Sequence, residues 1–223
     1  CVTPIYVHSG LSPKDLSSFV LTHWDFNRES EEDDYTAYDQ SQDKVFLVFE
    51  TMLMNHFGIP QHLIDEYAEH KLCTHCQLSP TTLEVMRFSG EFGTFWFNTV
   101  CNIAYTHLKY DFPLQVPQMY AGDDLVVNSP RRENPAWKRI KHHFLLEGKP
   151  FRTYHPTFCS LAITPSGAFR NPRDLAYRML HAEIRRLDET SGPSLAIDYR
   201  LMMDQLERAG ADLVQPFADY VFA

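Results

Sequence analysis

The chain has 223 residues, 44% of them hydrophobic and 13% aromatic. That is enough for one large domain with a real core and excludes whole-chain disorder, and no run of about 18 or more apolar residues offers a membrane span. The net charge of −9 argues against a general nucleic-acid binder, but the charge is uneven: residues 1–128 carry 6 basic and 18 acidic side chains, residues 129–223 carry 14 and 11.

The chain opens on Cys1 rather than Met, with no charged-then-apolar leader behind it, and is expected to be a piece of something longer. EEDDYTAYDQSQ (31–42) has a short alternating β core, YTAY, between acids. KVFLVFETMLMNHF (44–57) predicts a buried helix, and PQHLIDEYAEHKL (60–72) an amphipathic helix opened by Pro60. The five cysteines, at 1, 73, 76, 101 and 159, are odd in number and widely spaced. They fit a reducing compartment better than a disulfide framework. Cys73 and Cys76, with His70 and His75, could form half of a zinc site, but no second half is placed to complete it, and ordinary packing at a helix end is the better account of them.

TTLEVMRF (81–88) predicts a strand, SGEFGT (89–94) a glycine-punctuated loop, and FWFNTVCNIAYTHLKY (95–110) a long apolar helix. LQVPQMYA and LVVN predict a hairpin with Gly122 in its turn. NPAWKRIKHHFLLEG (134–148) has Pro135 near its start and Gly148 at its end, the start and stop signals of a helix. TFCSLAITPSGAFR (157–170) predicts a second hairpin turning at Pro165-Ser166-Gly167. NPRDLAYRMLHAEIRRL (171–187) predicts a helix capped by Asn171, and a last helix runs from about Ile197 to Arg208. The order gives an α+β fold, an antiparallel sheet backed by helices.

Three polar constellations stand out from this frame. Asp123 and Asp124 lie side by side between apolar segments, where like charges repel and burial is costly. A solvated turn would tolerate them; a bound divalent cation would hold them together. Asp34 and Asp39 are five apart, so in one strand they would face opposite sides; Asp39 must lie past the strand's end to share a site with Asp34. In SGEFGTFWFN, Gly90 and Gly93 let backbone approach a ligand, and Thr94 and Asn98 share one helix face.

The stretches DDYTAYDQSQD, MRFSGEFGTFWFNTVCNIAYT and YAGDDLVVNS resemble motifs A, B and C of the palm domain of viral RNA-dependent RNA polymerases of the alphavirus-like supergroup. The likeness is closest to the tymovirus and flexivirus branch and covers roughly residues 20 to 190. FCSLAITPSGAFRNPRDLAYRML looks like the segment that follows in that family. One departure is that the basic fingers motif expected upstream of motif A is missing: residues 1–33 hold only Lys14 and Arg28 as basic residues.

The resemblance implies a right-hand polymerase palm with residual fingers over 1–33, palm over 34–170 with a fingers-like insertion at 57–80, and the start of a thumb over 171–223. It implies RNA-directed RNA synthesis by a two-metal mechanism, in which two Mg²⁺ (or Mn²⁺) ions clamp the attacking and leaving oxygens. Asp34 and Asp123 would be the main metal ligands and Asp124 an auxiliary one. Their carboxylates are expected to converge in one open pocket, Asp34 and Asp123 within about 4–7 Å of each other to hold ions about 3.5–4 Å apart. Asp39 and Asn98 would read the ribose 2′-hydroxyl, which both donates and accepts. Ser89 and Thr94 would position Asp39 or the template, Gly90 and Gly93 would let the loop flex, and Lys149, or after it Lys141, would protonate the leaving pyrophosphate. The implied partners are an RNA template, a primer or nascent strand, nucleoside triphosphates, and, by family analogy, other replicase domains on host cytoplasmic membranes. Two competing readings are a reverse transcriptase and a non-catalytic palm serving as a replication scaffold. Against the first, Asp39 stands where a bulky sugar-excluding aromatic would be expected; against the second, the acids are intact.

Overall fold

The computed structural model describes residues 3–75, 82–83, 85–88, 90–113, 115–186 and 188–209. In chain order they form β1 (Ile5–Val7), α1 (Pro13–His23), β2 (Ser30–Tyr35), α2 (Lys44–His56), α3 (Gln61–Leu72), β3 (Thr74–His75), β4 (Thr82–Leu83) and α4 (Thr94–Lys109). There follow β5 (Tyr110–Asp111), β6 (Gln118–Ala121), β7 (Asp124–Val127), β8 (Arg132–Glu133), α5 (Trp137–Ile140) and β9 (Gly148–Thr153). The described residues end with β10 (Thr157–Phe158), β11 (Leu161–Thr164), β12 (Gly167–Arg170), α6 (Pro172–Ile184) and α7 (Asp188–Ala209). This is the mixed α+β arrangement expected. Among the described residues no helix is long and apolar enough to cross a membrane.

The main sheet has the order β1-β6-β7-β2-β9. It is not purely antiparallel as expected: β1, which the sequence pattern did not single out, adds parallel to β6 at the edge. The other neighbours are antiparallel. Side-chain alternation buries β6 and β7 on both faces. Met119, Ala121 and Val126 pack against Leu16 and Val20 of α1 and against the small sheet β10-β11-β12. Tyr120, Leu125 and Val127 pack on the opposite face with Ile103 of α4 and Phe112. The hairpin α6–α7 has its own cluster of Leu175, Ala182, Leu195 and Met202.

Four local expectations are corrected. The β core lies in SEEDDY, not YTAY: β2 ends at Tyr35, and a 3-10 turn takes up Asp39–Ser41. The helix expected over 134–148 shrinks to Trp137–Ile140 and a 3-10 turn, Lys141–His143. Trp137 and Leu146 both enter one cluster with Tyr105 and Phe46. Nine residues apart, they would face opposite sides of a single helix. Gly148 therefore opens β9, where a Cβ would come within 2.9 Å of the Tyr35 ring. Among the described residues, the strand expected over 81–88 keeps Thr82–Leu83, paired with β3, while Arg87 turns inward. The segment 157–170 gains a tight turn at Cys159 and Ser160, with φ of 50° and 59°. That left-handed pair suits a two-residue hairpin but lacks the Gly or Asn that would announce it.

An acid-rich strand inside a sheet contradicts strand propensity, and the charges of Glu31, Glu32 and Asp33 are met individually. The Arg131 guanidinium forks onto Asp33, Nη1 to Oδ2 at 2.5 Å and Nη2 to Oδ1 at 2.9 Å, and both side chains are 0% exposed. The Arg131 backbone N–H donates to Glu31, and the Thr157 N–H donates to Glu32 at 2.7 Å. Breaking one partner of such a buried pair costs about 3–5 kcal/mol. Arg131→Met is therefore expected to lower unfolding stability by that amount in urea titration. A loss under about 1 kcal/mol, the size of a surface pair, would show that Arg131 is not the counter-charge of β2.

Candidate active site

The β6–β7 hairpin turns through Gly122 and Asp123, with Ala121 opposite Asp124. Gly122 has φ +62°, a conformation that costs a side chain with a Cβ about 1–2 kcal/mol. Helix α4 holds this turn from below. The Thr99 hydroxyl accepts the Gly122 N–H at 2.8 Å. The Asn102 amide donates to the carbonyls of Gly122 (3.2 Å) and Asp123 (3.0 Å). Asn102 Oδ1 in turn accepts the Tyr35 hydroxyl at 2.8 Å and that of Thr106 at 3.2 Å. One buried amide thus ties the turn to the end of β2. Thr99, Asn102 and Tyr35 were not anticipated as site residues. The signal for Asn102 is the four-residue ladder Asn98-Asn102-Thr106 on a largely apolar helix.

The adjacent acids of both pairs are separated by geometry. In β2, Asp33 turns inward to Arg131, while Asp34 is exposed and stands opposite Lys149 of β9 in the strand register. Glu32 is the register partner of Val126. Two residues further along, the same register sets Asp34 and Asp124 on one face. Asp123 opens onto a cleft of about 700 Å³ that Gly90, Gly93, Thr94 and Asn98 also line. Asp124 lines a second cleft, of about 350 Å³, with Glu32, Thr157 and Cys159. Burial first, then Asp123, raises the Asp124 carboxyl above its usual range, against hydrogen bonds from the Cys159 N–H and thiol. Burial and the neighbouring Asp124 push the Cys159 thiol up to about 12.

Asp34, Asp123 and Asp124 are not drawn into one pocket, and the described residues contain no group of three His, Cys, Asp or Glu side chains that could hold a metal. Their chemistry still fits a hard cation. Among the described residues, the Asp34 and Asp123 carboxylates make no hydrogen bond or ion pair, whereas Glu31, Glu32 and Asp33 are committed to protein donors. Cys73 is exposed and His70 lies 3.8 Å from Glu66, while Cys76 of the half zinc site is outside the described residues.

The sugar-reading candidates are in direct contact: Asn98 Nδ2 donates to Asp39 Oδ1 at 2.9 Å. Asn98 Oδ1 accepts Arg87 Nε at 2.9 Å, a partner not anticipated. The signal for Arg87 was a lone cation in the apolar run before the glycine loop. The Thr94 hydroxyl donates to the carbonyls of Phe88 (3.1 Å) and Glu91 (2.9 Å), so it closes the loop and is not spent on Asp39. Gly90 and Gly93 have φ of +86° and +71°, and a Cβ on Gly93 would meet the Phe97 ring at 3.0 Å. Ser89 lies outside the described residues. Lys149 is exposed on a strand rather than past a helix end, and Lys141 is exposed in a 3-10 turn.

Residues 3–167 match the family described as RNA dependent RNA polymerase. The chain is 44% identical over 181 residues to the RNA replication protein of Botrytis virus F, an alignment covering 81% of this chain and 9% of that protein. It is 38% identical over 186 residues to the RNA replication protein of Potato virus X, covering 81% and 13%. With the RNA replication protein of White clover mosaic virus (strain M) it shares 37% identity over 205 residues, covering 89% and 16%. The chain belongs to the viral RNA-dependent RNA polymerase family, and it spans 9–16% of the length of these relatives.

Asn102 joins these elements, and Asn102→Ala would take its shortest hydrogen bond from the Tyr35 hydroxyl, leaving it Asp33 at 3.3 Å, and remove the amide donor of the two turn carbonyls. Each unsatisfied buried group costs about 1–3 kcal/mol. The expected result is a stability loss of at least that size in chemical denaturation, with faster hydrogen exchange at the Gly122 amide. Unchanged exchange there would mean that the turn holds its shape without α4.

Proposed function

We propose that this chain is the catalytic palm of an RNA-directed RNA polymerase that replicates a positive-strand RNA virus genome, with fingers and thumb elements at the boundaries given by the resemblance. The carrying observation is the pair of exposed, uncommitted carboxylates, Asp34 at a strand end and Asp123 in a hairpin turn, with Asp123 lining the same cleft as Asn98. In the reaction a primer 3′-hydroxyl attacks the α-phosphate of a nucleoside triphosphate, and pyrophosphate leaves. Asp34 and Asp123, with Asp124 auxiliary, would hold two Mg²⁺ or Mn²⁺ ions, which neutralise charge on the attacking and leaving oxygens.

The chain's own groups supply orientation and sugar choice. One N–H of the Asn98 amide is spent on Asp39 Oδ1. The second N–H and the other Asp39 oxygen offer one donor and one acceptor, the pair a ribose 2′-hydroxyl satisfies. Lys149, across the strand from Asp34, is the candidate proton donor to pyrophosphate, with Lys141 second. Template, primer and nucleotides would meet at the 700 Å³ cleft. By family analogy the other replicase domains assemble with it on host cytoplasmic membranes.

In the full-length protein, Asp123→Asn is expected to abolish Mg²⁺-dependent nucleotide incorporation without changing the unfolding transition, because it removes charge and little volume. Incorporation at the wild-type rate would sink the metal assignment. A hydrogen bond to a charged group contributes about 1.5–3 kcal/mol. Asn98→Ala is therefore expected to lower the ratio of ribo- to deoxynucleotide incorporation efficiency about 10- to 150-fold. The deoxynucleotide rate should change little.

A further inference from the structure

Arg87 is 2% exposed, and its guanidinium sits among acids contributed by separate elements. It pairs with Glu50 of α2, and Nη1 lies 3.1 Å from Glu91 Oε1 in the glycine loop. Tyr67 of α3 donates its hydroxyl to Glu50 at 2.7 Å, and Lys71 pairs with Glu91 at 2.8 Å. Glu91 also accepts the Phe88 N–H at 3.2 Å. Two contacts of Arg87 reach the sugar-reading pair. Its Nε donates to Asn98 Oδ1 at 2.9 Å, and its backbone N–H donates to the Asp39 carbonyl at 3.0 Å.

Stability alone is a poor account of this network, because replacing a buried ion pair by apolar groups of similar volume is often neutral or stabilising. Its geometry does something an apolar plug could not. The Asn98 amide is nearly symmetric in shape, so its orientation depends on its partners. A fixed donor on Oδ1 and an acceptor on Nδ2 leave it one orientation, with its second N–H available to a ligand. The same Arg87 residue anchors the Asp39 backbone, so one residue sets the distance and direction between the two sugar-contacting groups.

We propose that Arg87 is the specificity-determining positioning residue of this polymerase: held by Glu50 and Glu91, it locks the Asp39–Asn98 pair in the geometry that favours a 2′-hydroxyl, without touching the nucleotide. The inference rests on the reading of Asp39 and Asn98 as the sugar contacts.

The test measures kcat/KM for a ribonucleotide and its 2′-deoxy counterpart in the full-length protein. Arg87→Lys keeps the charge but cannot reproduce the fork with Nε donation. It is expected to lower the ribo-to-deoxy ratio about 10-fold, the lower bound for a charged hydrogen bond. Arg87→Lys/Asn98→Ala should lose no more than Asn98→Ala alone, because both act through one amide. Should Arg87→Lys fail to fold, the apolar replacement Arg87→Met/Glu50→Leu supplies the same readout. It should fold and still lose discrimination, whereas a merely structural role would be satisfied by the repacking. An unchanged ratio in a folded Arg87 variant overturns the proposal, as does an additive loss in the combined variant. If Asn98→Ala itself leaves the ratio unchanged, the sugar-contact reading fails and the proposal falls with it. If Asn98→Ala lowers the ratio and the Arg87 variants do not, only the role of Arg87 fails.

Discussion

The buried fork between Arg131 and Asp33 is the contact on which the rest of this fold is arranged. It lets a strand of sequence SEEDDY run through the interior of a five-stranded sheet. Once Asp33 is committed to one face, strand alternation sends Asp34 to the other. The sheet thus neutralises the charges it must bury and leaves uncommitted the carboxylate at its exposed end. Had Asp34 faced Arg131, the chain would have lost the acid that a cation could use and exposed one with no role.

Helix α4 plays the complementary part on the same face of the sheet as that fork, where the Tyr35 hydroxyl bonds both Asp33 and Asn102. It buries aromatic rings, Phe97 and Tyr105, together with amides and hydroxyls, Asn98, Thr99, Asn102 and Thr106. Asn98 bonds the Asp39 carboxylate, Thr99 accepts the Gly122 N–H, Asn102 holds the Gly122 and Asp123 carbonyls and the Tyr35 hydroxyl, and Thr106 braces Asn102 within the helix. The glycine loop, the carboxylate hairpin and the end of β2 are therefore registered to one rigid rod. A catalytic geometry tolerant of only about half an ångström of error needs that kind of support.

The charged cluster of Arg87, Glu50, Glu91 and Lys71 extends this support to α2 and α3. The helices that flank the site thus reach the Asp39–Asn98 pair through a few short, charge-assisted bonds. Buried charge of this kind is a weak source of stability but a strong source of geometric definition.

The sequence by itself determined the class of fold, the helices α2, α3 and α4, the hairpin carrying Asp123 and Asp124, and the family. These follow from local signals: apolar periodicity, turn residues, and motifs whose spacing survives without knowledge of the fold. It also required Asp39 to lie beyond the strand that carries Asp34, since five residues in a strand change face. Only the tertiary structure decided which acid of each neighbouring pair is committed to the protein, because Arg131 is 98 residues from Asp33 and Cys159 is far along the chain from Asp124. It alone decided that 134–148 is broken rather than helical, since Trp137 and Leu146 must enter one cluster. It alone placed Lys149 on β9 opposite Asp34 and Arg87 against Asn98. Pairing between distant segments depends on where the chain returns, and no local pattern of residues encodes that distance.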